Sequence, residues 1–234
     1  MIGERQAAPT DEAWGRSPRA VALAFAGVAG YVDAYALIRF QVYASFMSGN
    51  TTRGGVEAAS GRFAIAALSL LAIICFVLGA FIGVTLLHSP RRRAGRLVAL
   101  VATGLLIAQA AVDAISPMAW LSVALLSVSM GALNSTITQI GGQAVNIGYV
   151  SGGLHKLAEH LALAWLRLPV DSPAGPDDTH LRRAVLIGGL WGVFLAGAFL
   201  GTLAQHYVPH WVLALPIATL FVALVPQVGG KRNG

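Results

Sequence analysis

Asp33 lies thirteen positions into an apolar run that begins at Ala20. On a helix rising ~1.5 Å per residue, that is about 20 Å deep. An ionisable group at such depth is costly and marks a functional position. Two short polar phrases follow it. "FMSGNTTRGG" (46–55) carries Ser48, Gly49, Asn50, Thr51 and Arg53, and "YVSGGLHKLA" (149–158) carries Ser151, Gly152, Gly153 and Lys156. In each, a glycine follows a serine and a cation stands five residues past the serine. Each phrase reads as a chain break followed by a fresh helix start. Ser48, Asn50 or Thr51 is placed to cap the first helix and Ser151 the second. Such an end offers free N–H groups and a partial positive charge. Glycine lets a ligand approach the backbone, and anions bind there. These nine residues, with Asp33 and its counterpart Asn134, form the expected substrate-binding set. Asp33, Glu57 and Glu159 are the expected proton-linked carboxylates. The competing readings are an ion pair of Asp33 with Arg39 or Arg53, a capping aspartate near a chain break, and two ordinary interfacial loops with well-capped helices.

The elements that position these residues are membrane spans. The 234 residues are 56% hydrophobic and only 11% charged, against about 25% charged in a soluble domain. Six apolar stretches of spanning length appear, near 20–40, 63–87, 97–115, 118–140, 184–206 and 211–228. Residues 1–19 and 229–234 read as polar tails, the first disordered. Pro, Gly and Asp mark 168–183 as a flexible surface connection. With both termini in the cytoplasm, 13 of the 16 Lys and Arg fall on that side, all but Arg39, Arg53 and Arg62. The positive-inside rule therefore predicts a multi-pass membrane protein with N and C termini inside, on the cytoplasmic face. The run Arg91–Arg93 suits anionic lipid. The net charge of +6 reads as a topology signal and not as a nucleic-acid surface. Cys75 falls in an apolar run and reads as a small buried side chain.

The chain repeats itself. "GYVDA" (30–34) aligns with "GALNS" (131–135) at offset 101, and Ser48 with Ser151 at offset 103. Glu57 falls near Glu159. "LGAFIG" (78–83) aligns with "AGAFLG" (196–201) at offset 118, and His88 and His206 follow at the same spacing. The halves, 20–115 and 118–228, hold three spans each. An odd number inverts the second copy, a recurring plan of secondary transporters. Gly79 and Gly83, and Gly197 and Gly201, make GxxxG faces that suit close helix packing.

The pattern Gly30, Asp33, Ala34 followed by Ser48, Gly49, Asn50, Thr51 resembles the YoaK family, bacterial six-span membrane proteins of uncharacterised function. Gly131, Asn134 and Ser135 with Val150, Ser151 and Gly152 match that family's second-half pattern. Serine replaces the family's threonine in both phrases. The resemblance covers about residues 20–228. It implies an all-α polytopic bundle in the bacterial cell (inner) membrane and no particular reaction.

These features favour a carrier for a small solute, anionic or proton-coupled, with the lipid bilayer as its surroundings and no cofactor. The alternative is an accessory membrane protein whose GxxxG faces build a homo-oligomer. No enzyme is expected. "GYVSG" (148–152) is one residue longer than the Gly–x–Ser–Gly of rhomboid proteases, and no zinc-protease motif, phosphate loop or nucleophile elbow occurs. No metal site is expected either, since His155 and His160, five apart, do not share a helix face.

Overall fold

The computed structural model describes residues 18–89, 94–116, 118–136, 139–140, 143–144, 150–173 and 175–224. Residues 1–17 and 225–234, the Arg91–Arg93 run and most of the stretch before Val150 lie outside the described residues, and α1 takes in the last two positions of the expected N-terminal tail. Eight α-helices occur among them: α1 (Pro18–Phe40), α2 (Met47–Ala59), α3 (Phe63–Leu87), α4 (Ala94–Ile115), α5 (Ala119–Asn134), α6 (Val150–Trp165), α7 (His180–Tyr207) and α8 (Ala214–Leu224). A two-residue antiparallel pairing joins Gln139–Ile140 to Gln143–Ala144.

α1, α3, α4 and α7 are long and apolar enough to cross a membrane, and α5 and α8 are shorter apolar helices. Leu70, Ile74, Val77 and Phe81 on α3, and Val185, Leu195 and Phe199 on α7, point outward and are exposed. An exposed apolar belt on helices whose backbone bonds are internal is what a bilayer solvates. The chain is a polytopic helical membrane bundle.

α5 ends at Asn134, short of the expected 140. The Ser135 and Thr136 hydroxyls donate to the carbonyls of Ala132 and Leu133, and their amides bond the same two carbonyls. These i−3 bonds tighten the last turn and stop the helix.

Glycines set the packing, and they do so twice. A Cβ on Gly30 would strike the Phe194 carbonyl, and one on Gly197 or Gly201 the carbonyl of Gly27 or Tyr31. At the second crossing, between α3 and α5, Gly131 meets the Phe76 carbonyl, Gly79 that of Val128 and Gly83 that of Ala132. Each contact maps onto its partner by the offsets read from the sequence: 27, 30 and 31 add 101, and 76, 79 and 83 add 118. Residues 27 and 31 meet 197 and 201 in the same order, so α1 and α7 run parallel. So do α3 and α5. Arg39 and Tyr35 reach Asp113, which aligns α1 with α4. Ser129 of α5 donates to Ala102 of α4, and the short link 116–118 makes that pair antiparallel. Tyr31 donates to the Val212 carbonyl just before α8, while Ala20, Val21 and Ala24 face Ala218–Ala223, so α8 opposes α1. Thus α1, α4 and α7 point one way and α3, α5 and α8 the other: two sets of three apolar helices related by inversion. Each half adds one short helix, α2 lying on α3 and α6 on α7.

Candidate functional site

The first polar phrase is folded back onto Asp33. α1 closes on Gln41, a non-glycine residue with φ +59°, and residues 42–46 return alongside the helix. Ser45 donates its amide to Asp33 Oδ1 at 2.6 Å and its hydroxyl to Oδ2 at 2.8 Å. The amides of Ala44 and Phe46 also face this carboxylate. Asp33 is 4% exposed, and no ion pair to it exists among the described residues.

This corrects the expected capping. α2 begins at Met47, its N-cap residue is Phe46, and no side chain of the cap position bonds the helix. Ser48, Gly49, Asn50 and Thr51 lie inside the first turns. Ser48 is exposed, and the Thr51 hydroxyl bonds the Met47 carbonyl. Asp33 instead accepts from the amides of residues 44–46, the segment just ahead of this helix.

Asn50 does different work. It is fully buried, accepts from the Tyr43 amide at 2.8 Å and donates to the Tyr43 carbonyl at 2.7 Å. Asn50→Ala leaves both backbone groups without this partner, at about 1–3 kcal/mol for an unsatisfied buried group. A fall in thermal midpoint in detergent, larger than that of Ser48→Ala, is the expected result.

Arg53 donates to Gln41 Oε1 at 2.7 Å and lies 3.8 Å from Glu57. Arg62 takes the other Glu57 oxygen in a close ion pair. Arg39 is committed to Asp113 at 3.0 Å. The alternative pairing of Asp33 with Arg39 or Arg53 is therefore not what forms. Arg62 holds the Glu57 carboxyl below the usual carboxylate range, and Lys156, 2.7 Å away, does the same to Glu159. Neither is poised to exchange a proton near neutrality, which leaves Asp33 alone of the three expected carboxylates.

The two short helices pack on different spans. α2 rests on the N-terminal end of α3, with Gly54 beside Ser69. α6 rests on the N-terminal end of α7, with Gly153 beside Ile187. Since α3 and α7 are antiparallel, α2 and α6 run from their starts toward opposite ends of the bundle. Among the described residues, no hydrogen bond or ion pair joins Gly152, Gly153 or Lys156 to Ser48–Arg53. The Ser151 side chain lies outside the described residues. Asn134 ends α5, half-buried. The GxxxG glycines are consumed within one chain, between α1 and α7 and between α3 and α5.

A cleft of about 370 Å³ opens beside Asp33, lined by Gly30, Ala34, Leu37 and Ile38 of α1, Tyr43 and Phe46 of the returning segment, and Phe194, Ala198 and Thr202 of α7. Its one charged lining residue is Asp33. Sequence reasoning missed a second cluster: Gln109 donates to Tyr35 Oη at 3.4 Å, and Tyr35 donates to Asp113 at 3.1 Å. Only the odd Asp113 at the end of an apolar run hinted at it.

Comparison with known proteins adds a family. A model for proteins of unknown function (DUF1275) matches residues 21–225. A UPF0700 transmembrane protein of Rhizobium meliloti (strain 1021) is 35% identical over 142 residues, 61% of this chain and 60% of that protein. The match thus spans about three fifths of the curated relative's length. No solved structure matches. The chain belongs to the DUF1275 family of proteins of unknown function.

Proposed function

We propose that this DUF1275 member is a small-solute carrier of the bacterial inner membrane, with both termini in the cytoplasm, and that its family is the YoaK family its motifs resemble. The matched region, 21–225, coincides with the span of that resemblance. The observation that carries the carrier reading is the Asp33 clasp: a buried carboxylate with no ion pair among the described residues, holding the amides of the segment that leads into α2, beside a cleft, in an inverted repeat. The support is also mechanical. α1 and α7 lock together through glycines, as do α3 and α5, and each lock joins the two halves of the chain. The Asp33–Ser45 contact ties α1, in one locked pair, to the segment leading into α2, which rests on the other. Asp33 therefore stands at a joint between two rigid units, where alternating access needs a releasable contact.

In this reading a proton on Asp33 loosens its hold on the Ser45 amide and frees N–H groups for a small anionic solute. Proton and anion then move together, and Asp33 returns to its amides when both leave. Purified protein in liposomes, screened with small anions and neutral solutes with and without an inward proton gradient, tests this. Gradient-stimulated uptake is the expected result. A folded protein that moves none of the solutes overturns the carrier reading in favour of an accessory membrane role.

A further inference from the structure

The inverted repeat relates two contacts that look unrelated. Offset 103, which places Ser48 on Ser151, places Glu57 on His160. Offset 118, which places Gly79 on Gly197, places Arg62 on His180. The structure agrees with this register and not with Glu57 on Glu159. Glu57 is buried and meets Arg62 at the start of α3. His160 is buried and meets His180 at the start of α7, whereas Glu159 faces Lys156 at the surface. Both contacts fasten a short helix to the span that follows it. The first is an ion pair. The second is two imidazoles with Nδ1 atoms 3.0 Å apart.

Two ring nitrogens at that distance need one proton between them. His180 Nε2 faces the Pro169 carbonyl at 3.1 Å and so carries a hydrogen. In the neutral ring Nδ1 is then the acceptor, and His160 Nδ1–H donates to it. A further proton on His160 leaves this bond in place. A proton on both rings does not, because two N–H groups then point at each other and two positive charges share one buried contact. The surroundings add to the repulsion. Arg183 on α7 and Lys156 on α6 are positive, and Glu159 on α6 opposes them. Arg183 is itself held by Asp178, at 3.0 and 2.6 Å, and by the Ser172 carbonyl, so it stays beside the pair.

We propose that His160–His180 is a proton-binding latch, which holds α6 against the start of α7 while the pair carries at most one extra proton and releases α6 when both rings are protonated. The sign follows from proton counting. The closed latch binds one extra proton at most, whereas two freed histidines bind two, so acid favours release. Burial first, then His180 and Arg183, hold the His160 imidazole below its ordinary value, in the same direction. The latch is therefore complete above the ordinary imidazole value of about 6.5 and weakens as pH falls below it. The opposite clasp, Glu57–Arg62, keeps its charges over that range and holds α2 throughout. This inference does not depend on what the protein carries.

Amide hydrogen exchange on the full chain in lipid nanodiscs, at about pH 7.5 and about pH 5 and corrected for intrinsic rates, tests the latch. The amides of 150–165 should exchange about tenfold faster at the lower pH, while those of 47–59 keep their protection. H160Q, whose amide still donates to His180 Nδ1 without titrating, should lose the response. H160E/H180R, which copies the opposite clasp, should lose it too. Unchanged α6 protection at low pH, equal loosening of α2 and α6, or an intact response in H160Q overturns the proposal.

Discussion

Asp33→Asn should leave a folded protein that has lost proton-stimulated uptake, whereas Asp33→Ala should fail first in stability. The carboxylate accepts the Ser45 amide and hydroxyl at 2.6 and 2.8 Å and faces the amides of Ala44 and Phe46. Alanine removes every acceptor at once. Buried donors left without partners cost about 1–3 kcal/mol each, so a loss of about 2–5 kcal/mol is expected, seen as a large fall in thermal midpoint and in recovery from detergent. Asparagine keeps one oxygen for the Ser45 amide but turns an NH₂ toward the remaining donors, a cost of about 1–2 kcal/mol. It also cannot take up a proton. Transport measured on Asp33→Asn protein of wild-type elution profile separates the structural role from the coupling role. Proton-stimulated flux that survives in Asp33→Asn removes Asp33 from the coupling mechanism and leaves it a helix clasp.

What could be read from the residues, and what could not, divides along a physical line. α3 runs over Phe63–Leu87, as expected, because 25 uninterrupted apolar residues leave no alternative boundary. The GxxxG glycines predict close packing because a missing side chain is itself the geometric fact. Their partners are another matter: Gly30 meets Phe194, 164 residues away, and nothing local encodes that. The polar phrase 46–55 was legible as a helix start, yet its capping was not. Ser48 and Asn50 are good caps by type, but α2 begins at Met47, so both sit inside its first turns, and Asp33, thirteen residues before Phe46, holds the amides just ahead of the helix. Tertiary supply of a partner overrides local propensity. The same holds for Arg39, whose partner Asp113 lies 74 residues on. The His160–His180 pair was hidden by chemistry. A repeat search looks for like residues, and here an acid and a base at one end correspond to two imidazoles at the other.

The second large effect is expected at the glycine crossings, where the repeat itself supplies the control. Gly30→Ala and Gly131→Ala each push a Cβ into a backbone carbonyl, of Phe194 and Phe76 respectively. A backbone atom cannot rotate aside as a side-chain end can, so the helices must separate. Overpacking of this kind costs about 1–3 kcal/mol, and loss of the close approach forfeits dispersion along the whole seam. Gly104, in α4, has nothing within 4 Å of an added Cβ. There alanine should be neutral or stabilising by about 0.5–1 kcal/mol, because it restricts the unfolded chain more than glycine does. Thermal midpoints of the three single variants in one detergent decide this. Gly30→Ala and Gly131→Ala should fall together and by similar amounts, and Gly104→Ala should not fall. Their double variant should lose about the sum, since the two seams share no side chain. Equal tolerance at all three positions would show that α1 and α7, and α3 and α5, are not rigid pairs. The joint at Asp33 would then lose its meaning, because a releasable contact matters to alternating access only between bodies that are otherwise held.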